Sequence, residues 1–196
     1  MRMPSPLRIP QAPLSDAEWH ALQPYLPALA ASGRSCDHRS RLDAIFRLAA
    51  TDGPWRELPA EYGRPDTVSR YFRRLTHDGL WERLLRALAA APEGHPLRRI
   101  QGLICRACRR AIRIRGLALI VLARRLNLRR ALPGPSWMCP DPDLSEIVFR
   151  MPLPWRIPPT RRLRLAAIDY LRTLRRLLHV VAGRRYIPRA LKACWP

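Results

Sequence analysis

The chain has 196 residues, 47% of them hydrophobic, with 36 Lys+Arg against 15 Asp+Glu and a formal net charge of +21. That length allows one or two domains with a real core. The surplus of positive charge points to a polyanionic partner, with nucleic acid first among them. The longest purely apolar run, residues 117–123, falls far below the ~18 residues that suggest a membrane span, so a membrane partner is not expected.

Lys192 is the only lysine. The positive charge is therefore almost wholly arginine, a bias that GC-rich coding favours and that suits bidentate phosphate binding. The charge is also uneven. Residues 1–92 hold 13 basic and 10 acidic side chains, whereas residues 93–196 hold 23 and 5. This contrast predicts a domain boundary near residue 92. Five scattered cysteines and the lack of an apolar signal segment in residues 1–13 predict a reduced, cytoplasmic setting.

Residues 1–13 are Pro-rich and read as a flexible tail. Ser15 and Glu18 then form a capping box, flanked by Leu14 and Trp19 at the staple positions, which predicts a helix running to about residue 23. Asp37 is placed to cap a helix over 38–50, where Leu42, Ile45, Phe46 and Ala49 share one face. Residues 55–62 read as a short helix, and Gly63-Arg64-Pro65 as a turn. Asp66 is the expected cap of a helix over 67–77. In that helix Val68, Tyr71, Phe72 and Leu75 form the apolar face, while Thr67, Ser69, Arg70, Arg73, Arg74 and His77 lie opposite.

Arginine and short hydroxyl side chains are what a helix needs to meet phosphates and base edges in a major groove. A short helix, a Gly-containing turn and a basic amphipathic helix together suggest a helix-turn-helix. Periodicity alone leaves an ordinary solvated basic face equally open. A last helix over 79–91, carrying Leu80, Trp81, Leu84, Leu85 and Leu88, is expected to close the core, with Trp19, Trp55, Phe72 and Trp81 inside it.

Several short blocks in register resemble insertion-element transposases of the IS-five type. They are Leu14-Ser15-Asp16-Ala17-Glu18-Trp19, Pro24-Tyr25-Leu26-Pro27, Leu42-Asp43-Ala44-Ile45, Gly53-Pro54-Trp55-Arg56-Glu57-Leu58-Pro59 with Tyr62-Gly63, Arg70-Tyr71-Phe72-Arg73-Arg74, and Gly79-Leu80-Trp81-Glu82-Arg83-Leu84-Leu85. The resemblance spans most of residues 14–91. Ser35 and Cys36 replace the usual Pro-Arg after Gly33-Arg34, which bears on a basic contact. Pro65 stands in place of an aromatic residue, which bears on the angle of the recognition helix. Leu75 stands where Trp is common. The resemblance implies a module that recognises mobile-element ends. In the family it precedes an RNase-H-like domain whose Asp, Asp, Glu triad binds divalent metal.

That triad is not found in these residues. After residue 92 the acids are Glu93, Asp141, Asp143, Glu146 and Asp169, and Asp141, Asp143 and Glu146 crowd into a Pro-rich stretch that reads as a solvated loop. Residues 97–132 read as helical with Gly116 a break, and residues 160–182 as a second long helix stopped by Gly183. In the latter, Leu163, Ala167, Tyr170, Leu171, Leu174, Leu177 and Leu178 lie on one side. Cys105 and Cys108 form a lone CxxC. With Cys139 as a third ligand and only His179 or Cys194 left by elimination, zinc is outweighed by two small residues on a helix face.

The expected fold is all-α: a helix-turn-helix-containing helical domain over 14–91, then a basic, Arg-rich helical extension over 92–196 with a Pro-rich connection at 133–159. The expected DNA-binding residues are Arg64, Thr67, Ser69, Arg70, Arg73 and Arg74. No catalytic or metal residue, no cofactor and no small-molecule substrate is expected. The expected partners are double-stranded DNA and, for any transposition, a separate catalytic transposase chain. An Arg-rich interaction or membrane-surface protein and a non-functional gene remnant remain open on the residues alone.

Overall fold

A computed structural model describes residues 12–27, 37–154, 156, 158–184 and 186–195. Most of the expected tail, the Gly33–Cys36 departure from the family pattern and Trp155 lie outside the described residues. Every regular element among the described residues is helical, so the all-α expectation holds.

The first helices form where local chemistry dictates. Helix α1 (Asp16–Leu22) opens on the capping box: Glu18 N–H donates to Ser15 Oγ at 3.4 Å, and Ser15 N–H to Glu18 Oε2 at 2.9 Å. Asp37 caps α2 (His38–Thr51) through the Ser40 N–H, and Leu42, Ile45, Phe46 and Ala49 are buried as their spacing predicts. Leu14 is pinned to α2 by its N–H, which donates to the buried Asp43 carboxylate at 2.8 Å.

Residues 55–62 do not form the expected short helix. They make two 3₁₀ turns, Trp55–Glu57 and Ala60–Tyr62, separated by an extended Leu58. The cause is Pro59, whose ring drives the preceding residue out of the helical region. Helix α3 (Pro65–His77) starts two residues earlier than Asp66 capping would allow, with Arg64 as N-cap and Pro65 in the first turn. Proline suits that place because its φ is already helical and its missing N–H would find no partner there. Gly79, left-handed at φ 77°, turns the chain sharply into α4 (Leu80–Ala90).

The α3–α4 corner is cemented by Trp81. Its fully buried indole N–H donates to Thr76 Oγ, and that hydroxyl in turn donates to Phe72 O, so both buried donors are satisfied. Rings of Trp55, Phe72 and Trp81 follow one another at 5.3 and 5.4 Å between centroids. Phe72 and Trp81 are buried, whereas Trp19 and Trp55 are half-buried at the rim of the core.

The compact units of the structure do not divide at the charge step near residue 92. The first compact unit continues to Leu132, and a second runs from Pro133. Helices α5 (Pro96–Arg99), α6 (Gln101–Arg115) and α7 (Leu117–Arg125) belong to the first. Helix α6 packs on α2, α3 and α4 together. It can do so because Ile104, Ala107, Cys108 and Ala111 form a narrow, fully buried stripe that lets neighbouring helices approach closely. Its arginines are drawn into the fold: Arg110 Nη2 donates to Gly53 O and Leu48 O at the end of α2, and Arg115 pairs with Glu82 at 2.7 Å. A step in charge is thus not a step in packing.

In the second unit, the stretch expected as a plain Pro-rich connection holds α8 (Pro142–Phe149), capped by Asp141 through the Leu144 N–H. Helix α9 (Arg161–Ala182) is capped by Thr160 and stopped by Gly183, as its sequence indicates, and α10 (Arg189–Cys194) follows. Gly183 is required twice over. Its φ is 71°, and a Cβ there would lie within 2.9 Å of the backbone of Met138, Cys139 and Pro140.

Candidate nucleic-acid interface

The outward side of α3 is built by its own periodicity. Val68, Tyr71, Phe72 and Leu75 are buried, which turns Thr67, Arg70, Arg73 and Arg74 to solvent. Arg64 is exposed at the helix start, and Ser69 is half-buried on the flank. Among the described residues none of Arg41, Arg64, Arg70, Arg73 and Arg74 forms an ion pair. This sets them apart from Arg39, Arg83 and Arg115, which are paired with Asp16, Asp78 and Glu82.

Thr67, Arg70 and Arg74 come together with Tyr71 and, from α2, Arg41, around an open cleft of about 240 Å³. Arg64, Ser69 and Arg73 do not line it. The guanidiniums of Arg41 and Arg74 lie over the Tyr71 ring, 5.3 and 5.5 Å from its centroid. Behind the ring, the Tyr71 hydroxyl and His38 Nδ1 share a hydrogen bond of 2.5 Å. Burial first, then the charges of Arg41 and Arg74, hold the His38 imidazole below its ordinary pKa, against a weaker opposing pull from Asp37.

Sequence reasoning missed Arg41. It sits three residues after His38 on the same side of α2, but its partners on α3 follow more than two dozen residues later. Only packing of the two helices brings them together.

The carboxylates after residue 92 have other duties. Asp141 is a helix cap inside an ordered turn, Asp169 pairs with Arg172 at 3.0 Å, and Asp143 and Glu146 lie exposed on α8. Asp141, Asp143 and Glu146 therefore belong to the start of a helix, not to the solvated loop that their prolines suggested. Cys105 and Cys108 point into the core. Burial pushes the Cys105 thiol up to about 11 and raises Cys108 well above its ordinary value, so neither is a ready thiolate. Among the described residues no three His, Cys, Asp or Glu side chains gather in a way that could hold a metal ion. No described helix is long and apolar enough to cross a membrane.

Residues 14–85 match the family described as "Putative transposase of IS4/5 family". No curated protein and no solved structure matches the chain. The match opens at the buried Leu14, ahead of the capping box, and closes at Leu85 inside α4, so it takes in all of α3 and the aromatic corner but stops before α6. The similarity to this transposase family is thus carried by the first helices of the chain, residues 14–85.

Proposed function

We propose that this transposase-derived chain binds duplex DNA through the outward side of α3, reading the ends of a mobile element, and leaves strand chemistry to a separate catalytic chain. The observation that carries the reading is a set of arginines with no ion pair among the described residues, Arg70, Arg73 and Arg74 on a helix whose other side is buried in the core and Arg64 at its N-cap. Exposed cations on a rigid helix keep their donors for phosphate and base edges. In a helix-turn-helix the reading helix follows a short helix; here two 3₁₀ turns occupy that place, so α3 acts as the reader with α2 as its support.

The test is a binding titration of the full chain on duplexes taken from the DNA on either side of the gene, any inverted repeats among them, against duplexes of arbitrary sequence. Arg70→Ala or Arg73→Ala is expected to cost about 1–3 kcal/mol and relax preference at one position if the side chain reads a base, with no change in thermal midpoint. If both variants bind those duplexes as tightly as the parent, α3 is not the reader.

A further inference from the structure

We propose that the cleft between α2 and α3 is a seat for one phosphate of the DNA backbone, clamped by Arg41 and Arg74 over the ring of Tyr71. This deepens the reading of α3 as the DNA-binding helix and rests on it. It also adds Arg41, a residue of another helix, to the interface.

A guanidinium near an aromatic face is attracted by its charge, and the contact leaves the N–H groups that do not face the ring available to an anion. Arg41 and Arg74 both contact the Tyr71 ring and form no ion pair among the described residues. Their long side chains are thus held in place before any ligand arrives, which lowers the ordering cost of binding.

The second point is repulsion. Arg41, Arg70 and Arg74 line one cleft, and the residues lining it include no carboxylate. The nearest acid acting on His38 is Asp37, whose side chain is engaged in capping α2. Three cations around one opening repel each other until an anion enters, and a phosphate oxygen accepts from guanidinium edges in the bidentate geometry that arginine favours. The Thr67 hydroxyl at the same opening supplies a further donor. A base edge would use one arginine in one plane; several arginines and a hydroxyl residue around one cleft suit a phosphate.

The clamp also has a purpose. Phosphate contacts fix the register and tilt of a helix on the duplex without carrying sequence information. A seat shared by α2 and α3 would hold α3 at one angle, leaving Arg73, outside the cleft, to face the groove.

The experiment uses the full chain and a 20-base-pair duplex of arbitrary sequence. The slope of log K against log salt is measured for the parent, for Arg41→Gln and for the double variant Arg41→Gln/Arg74→Gln, with thermal melts to verify folding. Arg41→Gln should weaken every duplex alike. The double variant should lower the slope by about one unit in total, the signature of one phosphate lost. A loss of about two units would mean two independent phosphates and overturn the shared seat. An unchanged slope and affinity overturn the seat outright.

The Arg73→Ala variant separates the two readings. If it weakens binding while the double variant does not, α3 binds DNA without this seat; if neither does, both readings fall. Inorganic phosphate, titrated at constant ionic strength while the His38 ring resonance is followed, distinguishes the source. A response of His38 to inorganic phosphate with no change in the DNA slope would assign the cleft to free phosphate and remove it from DNA binding.

Discussion

Helices α3 and α9 are both basic and amphipathic, yet they meet different fates. Helix α3 has 13 residues and buries Val68, Tyr71, Phe72, Leu75 and Thr76. Helix α9 has 22 residues and buries Leu174 alone, leaving Leu163 at 52%, Leu171 at 45% and Leu178 at 55% exposure. Periodicity therefore states which side of a helix is apolar and not whether anything covers it. Cover comes from distant chain: α3 lies against α2, α4 and α6, whereas α9 has α8. The arginines follow suit. Those of α3 project from a scaffold that cannot turn, while those of α9 ring a helix with little core behind it.

The largest expected effect comes from removing that cover. A chain ending at residue 92 keeps the whole family match but loses α6, and with it the apolar partner of α2, α3 and α4. It should show no cooperative thermal transition by circular dichroism, whereas a chain ending at residue 132 should melt as one unit. A sharp melt of the shorter chain would show that α6 is dispensable and erase the contrast between covered and uncovered helices.

A point substitution sharpens the same contrast. Phe72→Ala should destabilise the first unit by about 3–5 kcal/mol, the usual cost of deleting a buried ring, because Phe72 touches both Trp55 and Trp81. Leu171→Ala on α9 should change stability by no more than about 0.5 kcal/mol, as exposed positions do. Denaturant titrations of both variants decide it. A comparable loss at Leu171 would mean that the α9 face is covered in solution.

The smallest effect is one of pH. His38 binds its proton less readily in the folded chain than in the unfolded one, because of burial and the charges of Arg41 and Arg74, with Asp37 opposing. Its neutral form therefore favours folding. That contribution is whole above the ordinary imidazole value of about 6.5 and declines as pH falls through that value toward the lower folded one. The parent should lose more stability than His38→Gln between pH 7 and pH 5. Parallel curves for the two proteins would remove His38 from the α2–α3 contact.

Much of this was legible from residues close together in the chain. The Ser15–Glu18 box, the Asp37 cap, the buried side of α3 and the stop at Gly183 all follow from neighbours within a turn or two. The miss at residues 55–62 was also local, since Pro59 was there to be weighed against the apolar spacing. The packing of α6 on the first helices was not legible, because the charge step near residue 92 reflects surface composition, while Ala107, Cys108 and Ala111 mark α6 as interior only once their partners on α2 and α4 are known. Arg41 was hidden for the same reason. Asp141 was read as loop because prolines surround it, yet Pro142 directly after a capping Asp is a natural helix start.

The narrow stripe on α6 also sets a clock. Helix α2 ends at Thr51 and the first buried position of α6, Leu103, is made about fifty residues later. At about 5–20 residues per second, synthesis leaves the apolar face of α2 without its lid for several seconds, and those of α3 and α4, made later, for progressively less. Phe46, Phe72 and Trp81 are in that interval open to chaperones and to other nascent chains. The position of a premature stop or frameshift then matters more than its size. One falling just before Leu103 would release a sticky fragment for clearance, whereas one falling after Leu132 would release the first unit with its core complete.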